Sequence, residues 1–206
     1  MRSRIRKTRI ERLRILVSQI GVALLGILAV GTESVWKHSE LVEQSCFGLA
    51  LVLVTTACLG RIWCLAYIAG RKERELVTDG PYSICRNPLY LFSFLGILGV
   101  ALATNTVTFP LTVTMGFLAL YPFVIGAEER RLTRLHGMRY DIYRQQTPRF
   151  IPAFHRYRSA RKLEIEASTF HKGLLDTVWF SLALMGMHIV MELHEGSHLL
   201  AFAKVI

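Results

Sequence analysis

The chain has 206 residues, of which 52% are hydrophobic, and its mean hydropathy is +0.36. This length allows a single domain, and apolar residues grouped in long blocks exclude an ordinary soluble globular protein. The formal net charge of +10 does not indicate nucleic-acid binding, because the basic residues are confined to the segments between the apolar blocks.

The apolar blocks, taken in chain order, predict an all-α, polytopic integral membrane protein with about five transmembrane helices in a single membrane domain, residues 1–206. The blocks are Ile15–Gly31, Cys46–Gly70, Asn87–Ala127 and Thr177–Met191. The third block has no Asp, Glu, Lys or Arg and is long enough for two spans, with Thr104–Thr106 and Pro110 supplying the turn between them. The last block predicts an additional C-terminal span at about 173–192. Arg61 interrupts the second block, and it either faces the protein interior or extends to the cytoplasmic face.

Basic residues are concentrated in the segments 1–14, 71–88 and 128–172, which hold seven, four and eleven of the 25 lysines and arginines. With five spans these segments all lie on one side of the membrane, which is the positive-inside pattern. We therefore expect a cytoplasmic N-terminus, retained as the first span, and a C-terminus on the opposite side. The basic stretch Arg156–Lys172 is expected to lie on anionic lipid at the cytoplasmic face. No nucleic-acid partner is predicted.

A first polar block, Gly80–Tyr90, reads GPYSICRNPLY. Its opening Gly-Pro pair predicts a turn, and Asn87-Pro88 predicts a capped helix start with proline in the first turn. A loop followed by a capped helix accounts for the glycine, asparagine and proline. It does not explain why the side chains of Arg86 and Tyr90 converge on the same place. Backbone N–H groups at a helix N-terminus favour anions. The block is therefore a candidate site for an anionic group, bound with the help of Arg86.

A second polar block, Glu128–Tyr143, reads EERRLTRLHGMRYDIY and follows directly on an apolar span. Its two leading carboxylates are poorly placed if the helix ends there, because the C-terminal end of a helix dipole disfavours anions. Either the neighbouring arginines neutralise them, or they bind a cationic or ribose-bearing ligand. Tyr140 and Tyr143 share one face of a helix, either as interfacial anchors or as walls of a pocket for a cation. Arg149 follows beside apolar residues.

In this order, the two blocks resemble the signature of the isoprenylcysteine carboxyl methyltransferase family and its phospholipid methyltransferase relatives, which are integral membrane enzymes that use S-adenosylmethionine. The matching motifs are Gly80-x-Tyr82-x3-Arg86-Asn87-Pro88-x-Tyr90 and Glu128-Glu129-x2-Leu132-x4-Gly137-x2-Tyr140-x2-Tyr143. The resemblance covers a methyltransferase core at about 61–152. It implies a site for S-adenosylmethionine formed by Tyr82, Arg86, Asn87, Pro88, Tyr90, Glu128 and Glu129.

The resemblance further implies methyl transfer to a lipid-like acceptor that reaches the site from the bilayer. A prenylcysteine-type carboxylate is the favoured acceptor and a phospholipid amine is the alternative. A carboxylate is already ionised and needs a cation to orient it, for which Arg86 or Arg149 is available. An amine must lose a proton, which Glu128, Glu129 or His136 can accept. The predicted catalytic residues are Arg86, Arg149 and Glu129, and the predicted substrate-binding residues are Tyr140, Tyr143 and Arg149.

Two rival interpretations remain from the sequence. The segment His194–His198, HEGSH, matches the H-E-x-x-H zinc pattern, but Gly196 and Ser197 weaken the helix that this pattern requires, so no metal ligands are assigned. A non-enzymatic scaffold subunit is the other interpretation. The enzyme interpretation predicts that Glu129→Ala and Tyr90→Ala lower cofactor affinity without unfolding the protein.

Overall fold

The protein is helical in a computed structural model that describes residues 32–34, 40–71, 74–196 and 203–205. Its helices are α1 (Glu40–Ile68), α2 (Pro81–Ile84), α3 (Pro88–Leu102), α4 (Thr108–His136), α5 (Met138–Gln146) and α6 (Ala167–Gly196), with a 3-10 turn at Phe154–Arg156. Two three-residue strands, β1 (Thr32–Ser34) and β2 (Ala203–Val205), pair in parallel. Apart from this short pair, the described fold confirms the predicted helical class.

Three of the helices, α1, α4 and the Ala167–Glu192 part of α6, are long and apolar enough to cross a membrane, and α3 is a shorter apolar helix. Large apolar side chains such as Leu118 and Phe123 on α4 remain exposed, as expected of surfaces that face lipid rather than water. The chain is therefore an integral membrane protein with several spans. The predicted first span, Ile15–Gly31, lies outside the described residues.

Helix α3 packs against α1, α4 and α6. Small residues allow its close approach to α1, because the Phe92 ring of α3 lies over Gly60 of α1 and Gly99 of α3 lies against the Ala50 carbonyl. A buried apolar cluster joins α1 and α6 beside the end of α3, and it consists of Ala50, Val54, Ala103 and Leu184. This packing fixes the position of α3, whose first turn belongs to the first polar block.

The turn between α3 and α4 lies where the sequence predicts it, at Thr104–Thr106. Asn105 adopts a positive φ of 52°, a conformation that asparagine tolerates better than most residues. The Thr104 hydroxyl donates to the Ala101 carbonyl at 2.7 Å, which closes the end of α3. Pro110 was expected in this turn, but it lies in the first turn of α4, where a missing backbone N–H breaks no helical hydrogen bond.

Helix α4 does not end at the two glutamates. It continues through Glu128 and Glu129 to His136 and ends at Gly137, whose φ of 52° terminates the helix. The two carboxylates therefore lie within α4, away from the negative end of its dipole. One helix thus carries both a membrane-spanning segment and the start of the second polar block.

Candidate active site

The first polar block begins at a tight turn that only glycine accommodates. Gly80 has a φ of 60°, and the Tyr67 ring of α1 occupies the space that a Cβ atom would need. The Ser83 hydroxyl donates to the Gly80 carbonyl at 2.7 Å, and Pro81 begins the one-turn helix α2. The turn therefore packs the first polar block against the end of α1.

Residues 148–158, called the strap below, run along the first block and hold it by backbone pairing. The hydrogen bonds join Arg86 N to Pro148 O at 2.9 Å, Ala153 N to Ile84 O at 2.9 Å and Gly80 N to Arg158 O at 2.7 Å. The Cys85 thiol also donates to the Phe150 carbonyl at 3.2 Å, and burial raises the pKa of this thiol to about 11. The sequence indicated only Arg149 in the strap, because backbone pairing leaves no side-chain pattern.

Asn87 and Pro88 begin α3 as predicted, with Pro88 in the first turn. The Asn87 side chain, however, makes no hydrogen bond to the helix that it precedes. Its amide instead donates to the Arg149 carbonyl of the strap at 3.0 Å. The expected capping bond is therefore wrong, and Asn87 fixes the strap to the start of α3.

The two glutamates of α4 face the first block. Glu128 accepts a hydrogen bond from the Tyr90 hydroxyl of α3. Glu129 pairs with Arg86 and with Arg149, each at 3.2 Å. The side chains of Arg86 and Glu129 are only 11% and 16% exposed, whereas Arg149 is 46% exposed. Residues from the first block, the second block and the strap therefore meet at one place, which the motif order alone does not establish.

Several buried polar atoms at this place have no hydrogen-bond partner in the part of the chain that the structure describes. They are Nε and Nη1 of Arg86 and Oε1 of Glu129. The 3.2 Å contact between Arg86 and Glu129 is therefore an attraction between charges without hydrogen-bond alignment. Since buried polar groups are normally satisfied, these atoms are the ones in this part of the structure that could still bind a polar ligand.

Tyr140 and Tyr143 share a face of α5, as predicted, and lie beneath this position. Tyr140 is 1% exposed and lies close enough to Arg86 to interact with its charge, while the Tyr143 hydroxyl donates to the Tyr82 carbonyl at 2.7 Å. Burial raises the pKa of both phenols, and of Tyr82, above the ordinary tyrosine value. Both tyrosines of α5 are thus buried supports rather than membrane-interface anchors, and their contact with substrate stays a prediction.

An aromatic wall borders Tyr90 on the membrane side. The Tyr90 and Tyr121 rings meet edge to face at 5.5 Å, and Tyr121 stacks on Phe117 at 3.9 Å. Phe117 also contacts Phe94 of α3 and Phe150 of the strap. This wall was not predicted, although Phe117 and Tyr121 have the i, i+4 spacing of side chains on one helix face. It provides an apolar surface next to the charged groups, and its ring faces suit a cation.

Arg61 points into the helix bundle. Its guanidinium donates to the Ser93 hydroxyl of α3 and to the Thr177 hydroxyl of α6 at 3.4 Å, and it lies over the Phe180 ring at 5.3 Å. The alternative in which Arg61 extends to the cytoplasmic face is therefore wrong.

The HEGSH segment falls only partly within the structure. Residues 194–196 belong to the last turn of α6, and His198 lies outside the described residues. Among the residues that are described, no group of three His, Cys, Asp or Glu side chains is arranged to hold a metal ion.

The helix bundle brings two carboxylates to one end, one paired with arginines and the other hydrogen-bonded to a tyrosine. This is the organisation expected of an integral membrane methyltransferase. The profile of the phospholipid methyltransferase family matches residues 41–139, which include α3, the whole of α4 and both glutamates. The chain belongs to this family of membrane methyltransferases.

Two curated relatives are similar over most of their length. The nickel-cobalt-cadmium resistance protein NccN of Alcaligenes xylosoxydans xylosoxydans is 35% identical over 186 residues, which are 90% of this chain and 84% of NccN. The cobalt-zinc-cadmium resistance protein CzcN of Cupriavidus metallidurans is 37% identical over 184 residues, which are 87% of this chain and 83% of CzcN. No solved structure matches the chain.

Proposed function

We propose that this protein transfers a methyl group from S-adenosylmethionine to a lipid-like acceptor that enters from the bilayer. The observation that carries the proposal is the placement of Glu129 between Arg86 and Arg149, beside the Tyr90–Glu128 pair. Buried polar atoms of Arg86 and Glu129 lack hydrogen bonds to the described residues. Methyltransferases of this family generally use S-adenosylmethionine.

The residues present fit such a cofactor. The buried Arg86 and Glu129 atoms without hydrogen bonds suit the carboxylate and ammonium of its amino-acid portion, through charge-assisted hydrogen bonds. Glu128, held by Tyr90, is suited to a ribose hydroxyl, and the ring faces of Tyr90 and Tyr121 to the sulfonium cation. Tyr82, Asn87 and Pro88 shape the loop behind them.

When bound, the cofactor supplies a methyl group that is already activated on sulfur, so the protein has to align the acceptor and exclude water. For the favoured carboxylate acceptor, the protein would have to hold a carboxylate oxygen in line with the methyl group that the bound cofactor would supply. Arg149 is the residue we assign to orient that carboxylate, because it is half exposed and also contacts Glu129. The acceptor's apolar chain would lie along the wall of Phe117 and Tyr121.

The alternative acceptor is a phospholipid amine, which the description of the matching family favours. An amine would give up its proton to Glu128 or Glu129. His136 is the third candidate for accepting this proton, and its buried Nε2 makes no hydrogen bond within the described part of the chain.

Calorimetric titration of detergent-purified protein with S-adenosylmethionine and S-adenosylhomocysteine tests the proposal. Glu129→Ala is expected to weaken binding at least about tenfold, because it removes charge-assisted hydrogen bonds of about 1.5–3 kcal/mol. Tyr90→Phe is expected to weaken binding less, since it removes a single hydroxyl. Glu75→Ala, which removes a carboxylate from an exposed ion pair with Arg71, is the matched control. Absence of binding by a folded wild-type protein would overturn the proposal.

The acceptor is identified by incubating the protein with labelled methyl donor and membrane lipid extract. A methyl ester formed on a carboxylate releases its label as volatile methanol in mild base, whereas a methylated amine retains it. Release favours the carboxylate acceptor and retention favours the amine.

We also propose that this methylation contributes to tolerance of divalent transition metals, which the names of the two relatives support. In a metal-sensitive host, the wild-type gene is expected to increase growth in nickel, cobalt, zinc or cadmium, and Glu129→Gln is expected to abolish the increase. Glu75→Gln again serves as control. If wild type and Glu129→Gln gave equal tolerance, metal tolerance would not depend on methyl transfer.

A further inference from the structure

Arg61 is a charged side chain inside the membrane bundle whose hydrogen-bonding capacity is only partly used. A guanidinium carries five N–H donors, and the described contacts of Arg61 use one from Nε, to Thr177, and one from Nη1, to Ser93. Phe180 covers one face of the group. In the described part of the chain, no carboxylate lies within 4.0 Å of the Arg61 guanidinium, so Arg61 forms no ion pair there. Asp176 attracts its charge only from a longer distance.

Such an arrangement is costly in a membrane protein without a further partner. Charged residues inside a bilayer are normally paired or line a polar path, because the apolar medium cannot solvate them. Serine and threonine hydroxyls satisfy individual N–H groups but carry no compensating charge. Nη2 of Arg61 makes none of the described hydrogen bonds. It is also not fully buried, so it can still donate to a ligand.

The position of Arg61 relates it to the candidate active site. Its partner Ser93 follows Tyr90 by three residues on α3, which corresponds to about 4.5 Å along the helix axis and adjacent positions on its surface. Tyr121, which contacts Tyr90, is also within electrostatic range of Arg61. Arg61 therefore lies about one helical turn further into the bundle than the Tyr90–Glu128 pair.

We propose that Arg61 binds the anionic group of a membrane amphiphile, a carboxylate or a phosphate, as the amphiphile enters from the bilayer below the methyl-transfer site. A carboxylate that is to be methylated then passes from Arg61 to Arg149. This proposal rests on the proposed methyl transfer and adds to it a residue of α1 that no motif contains. Arg61 is a substrate-binding residue: it selects acidic amphiphiles and takes no part in breaking or forming bonds.

The test measures equilibrium binding of matched acidic and neutral amphiphiles to detergent-purified full-length protein. The acidic probes are N-acetyl-S-farnesylcysteine and dioctanoyl phosphatidic acid, and their neutral counterparts are N-acetyl-S-farnesylcysteine methyl ester and dioctanoylglycerol. Arg61→Gln removes the charge, Arg61→Lys retains it, and Arg74→Gln removes an exposed cation as the control. S-adenosylmethionine binding is titrated on the same preparations.

Arg61→Gln is expected to weaken binding of an acidic probe about tenfold, the effect of one lost charge-assisted contact, with neutral probes and S-adenosylmethionine unchanged. Arg61→Lys is expected to restore part of the preference for the acidic probe. The acidic probe that shows the effect distinguishes a carboxylate from a phosphate. Unchanged binding of both acidic probes, or equal loss of acidic and neutral probes, would overturn the proposal.

An exposed second variant keeps the test informative if changes at Arg61 prevent folding. Asp176→Asn removes a negative charge near Arg61 from the surface of α6, so it is expected to strengthen binding of the acidic probe and leave the neutral one unchanged. Weaker or unchanged binding of the acidic probe would count against an anion at Arg61. If S-adenosylmethionine does not bind but the acidic preference depends on Arg61, the methyltransferase proposal fails and the anion site stands.

Discussion

At the scale of single residues, Glu129 has the most informative surroundings. Its carboxylate meets arginines from two different segments at 3.2 Å each, yet one of its oxygens and two nitrogens of Arg86 lack hydrogen bonds to any of the described residues. A purely structural ion pair would be expected to satisfy these atoms, because the cost of leaving buried charged groups unsatisfied is high. We therefore propose that the arrangement is preorganised for a ligand.

Tyr143 provides a prediction about stability at the same scale. Tyr143→Phe removes the hydrogen bond to the Tyr82 carbonyl and leaves that carbonyl without this partner, so it is expected to lower the free energy of unfolding by about 1–3 kcal/mol. The measurement is thermal unfolding in detergent. Tyr157→Phe, at a side chain that is half exposed, is the control and is expected to change little. An unchanged stability of Tyr143→Phe would show that the hydrogen bond does not hold the loop.

At the scale of elements, the strap and the first polar block act as one unit. Backbone hydrogen bonds connect them at three places, and Asn87 and Cys85 add side-chain bonds to strap carbonyls. The strap carries Arg149, whose guanidinium lies 3.2 Å from Glu129, so the hydrogen bonds that hold the strap also hold this residue near the carboxylate. Disturbing the turn at Gly80 should therefore affect the cofactor site, although Gly80 contacts no proposed ligand.

Gly80→Ala and Gly137→Ala form a matched pair that tests this connection. Both glycines have a positive φ, 60° and 52°, but the Tyr67 ring fills the space beside Gly80, whereas the space beside Gly137 is open. Gly137→Ala is expected to cost about 1–3 kcal/mol from backbone strain alone, because its φ of 52° is combined with a ψ of −129°. Gly80→Ala is expected to cost at least about 2 kcal/mol more, because it also displaces a buried ring.

Thermal unfolding and S-adenosylmethionine titration of the same two variants provide the measurement. Gly80→Ala is expected to lose both stability and cofactor affinity, and Gly137→Ala mainly stability. Equal effects of the two variants on cofactor affinity would mean that the Gly80 turn has no special role in forming the site.

At the scale of the whole molecule, the distribution of charge supports one orientation in the membrane. We propose that the N-terminus, the two polar blocks and the strap are cytoplasmic and that the turn between α3 and α4 is on the opposite side, because the basic segments then all lie inside. The exposed basic stretch Arg156–Lys172 would then lie against anionic lipid. Methyl donor would reach the site from the cytoplasm and the acceptor from the bilayer.

Labelling of single cysteines with a membrane-impermeant maleimide tests this orientation. Two exposed positions are suited for an introduced cysteine, Ser159 after the strap and Val107 at the α3–α4 turn. The background lacks all four native cysteines, which are Cys46, Cys58, Cys64 and Cys85. Val107→Cys is expected to react in intact spheroplasts, and Ser159→Cys only after the membrane is broken. The reverse pattern would place the candidate active site outside the cell, and reaction at both positions in intact spheroplasts would contradict a membrane between them.

The sequence by itself determined the helical membrane class, the α3–α4 turn and the residues of both motifs. These features depend on local properties, namely the length of apolar blocks, turn chemistry and the spacing of polar residues. Only the tertiary structure decided that α4 runs through Glu128 and Glu129, that the strap holds the first block, that Arg149 joins Arg86 on Glu129, and that Arg61 faces inward. A single sequence does not show which distant segments pair through their backbones or how a helix is rotated about its axis. Both features depend on packing against residues far away in the chain.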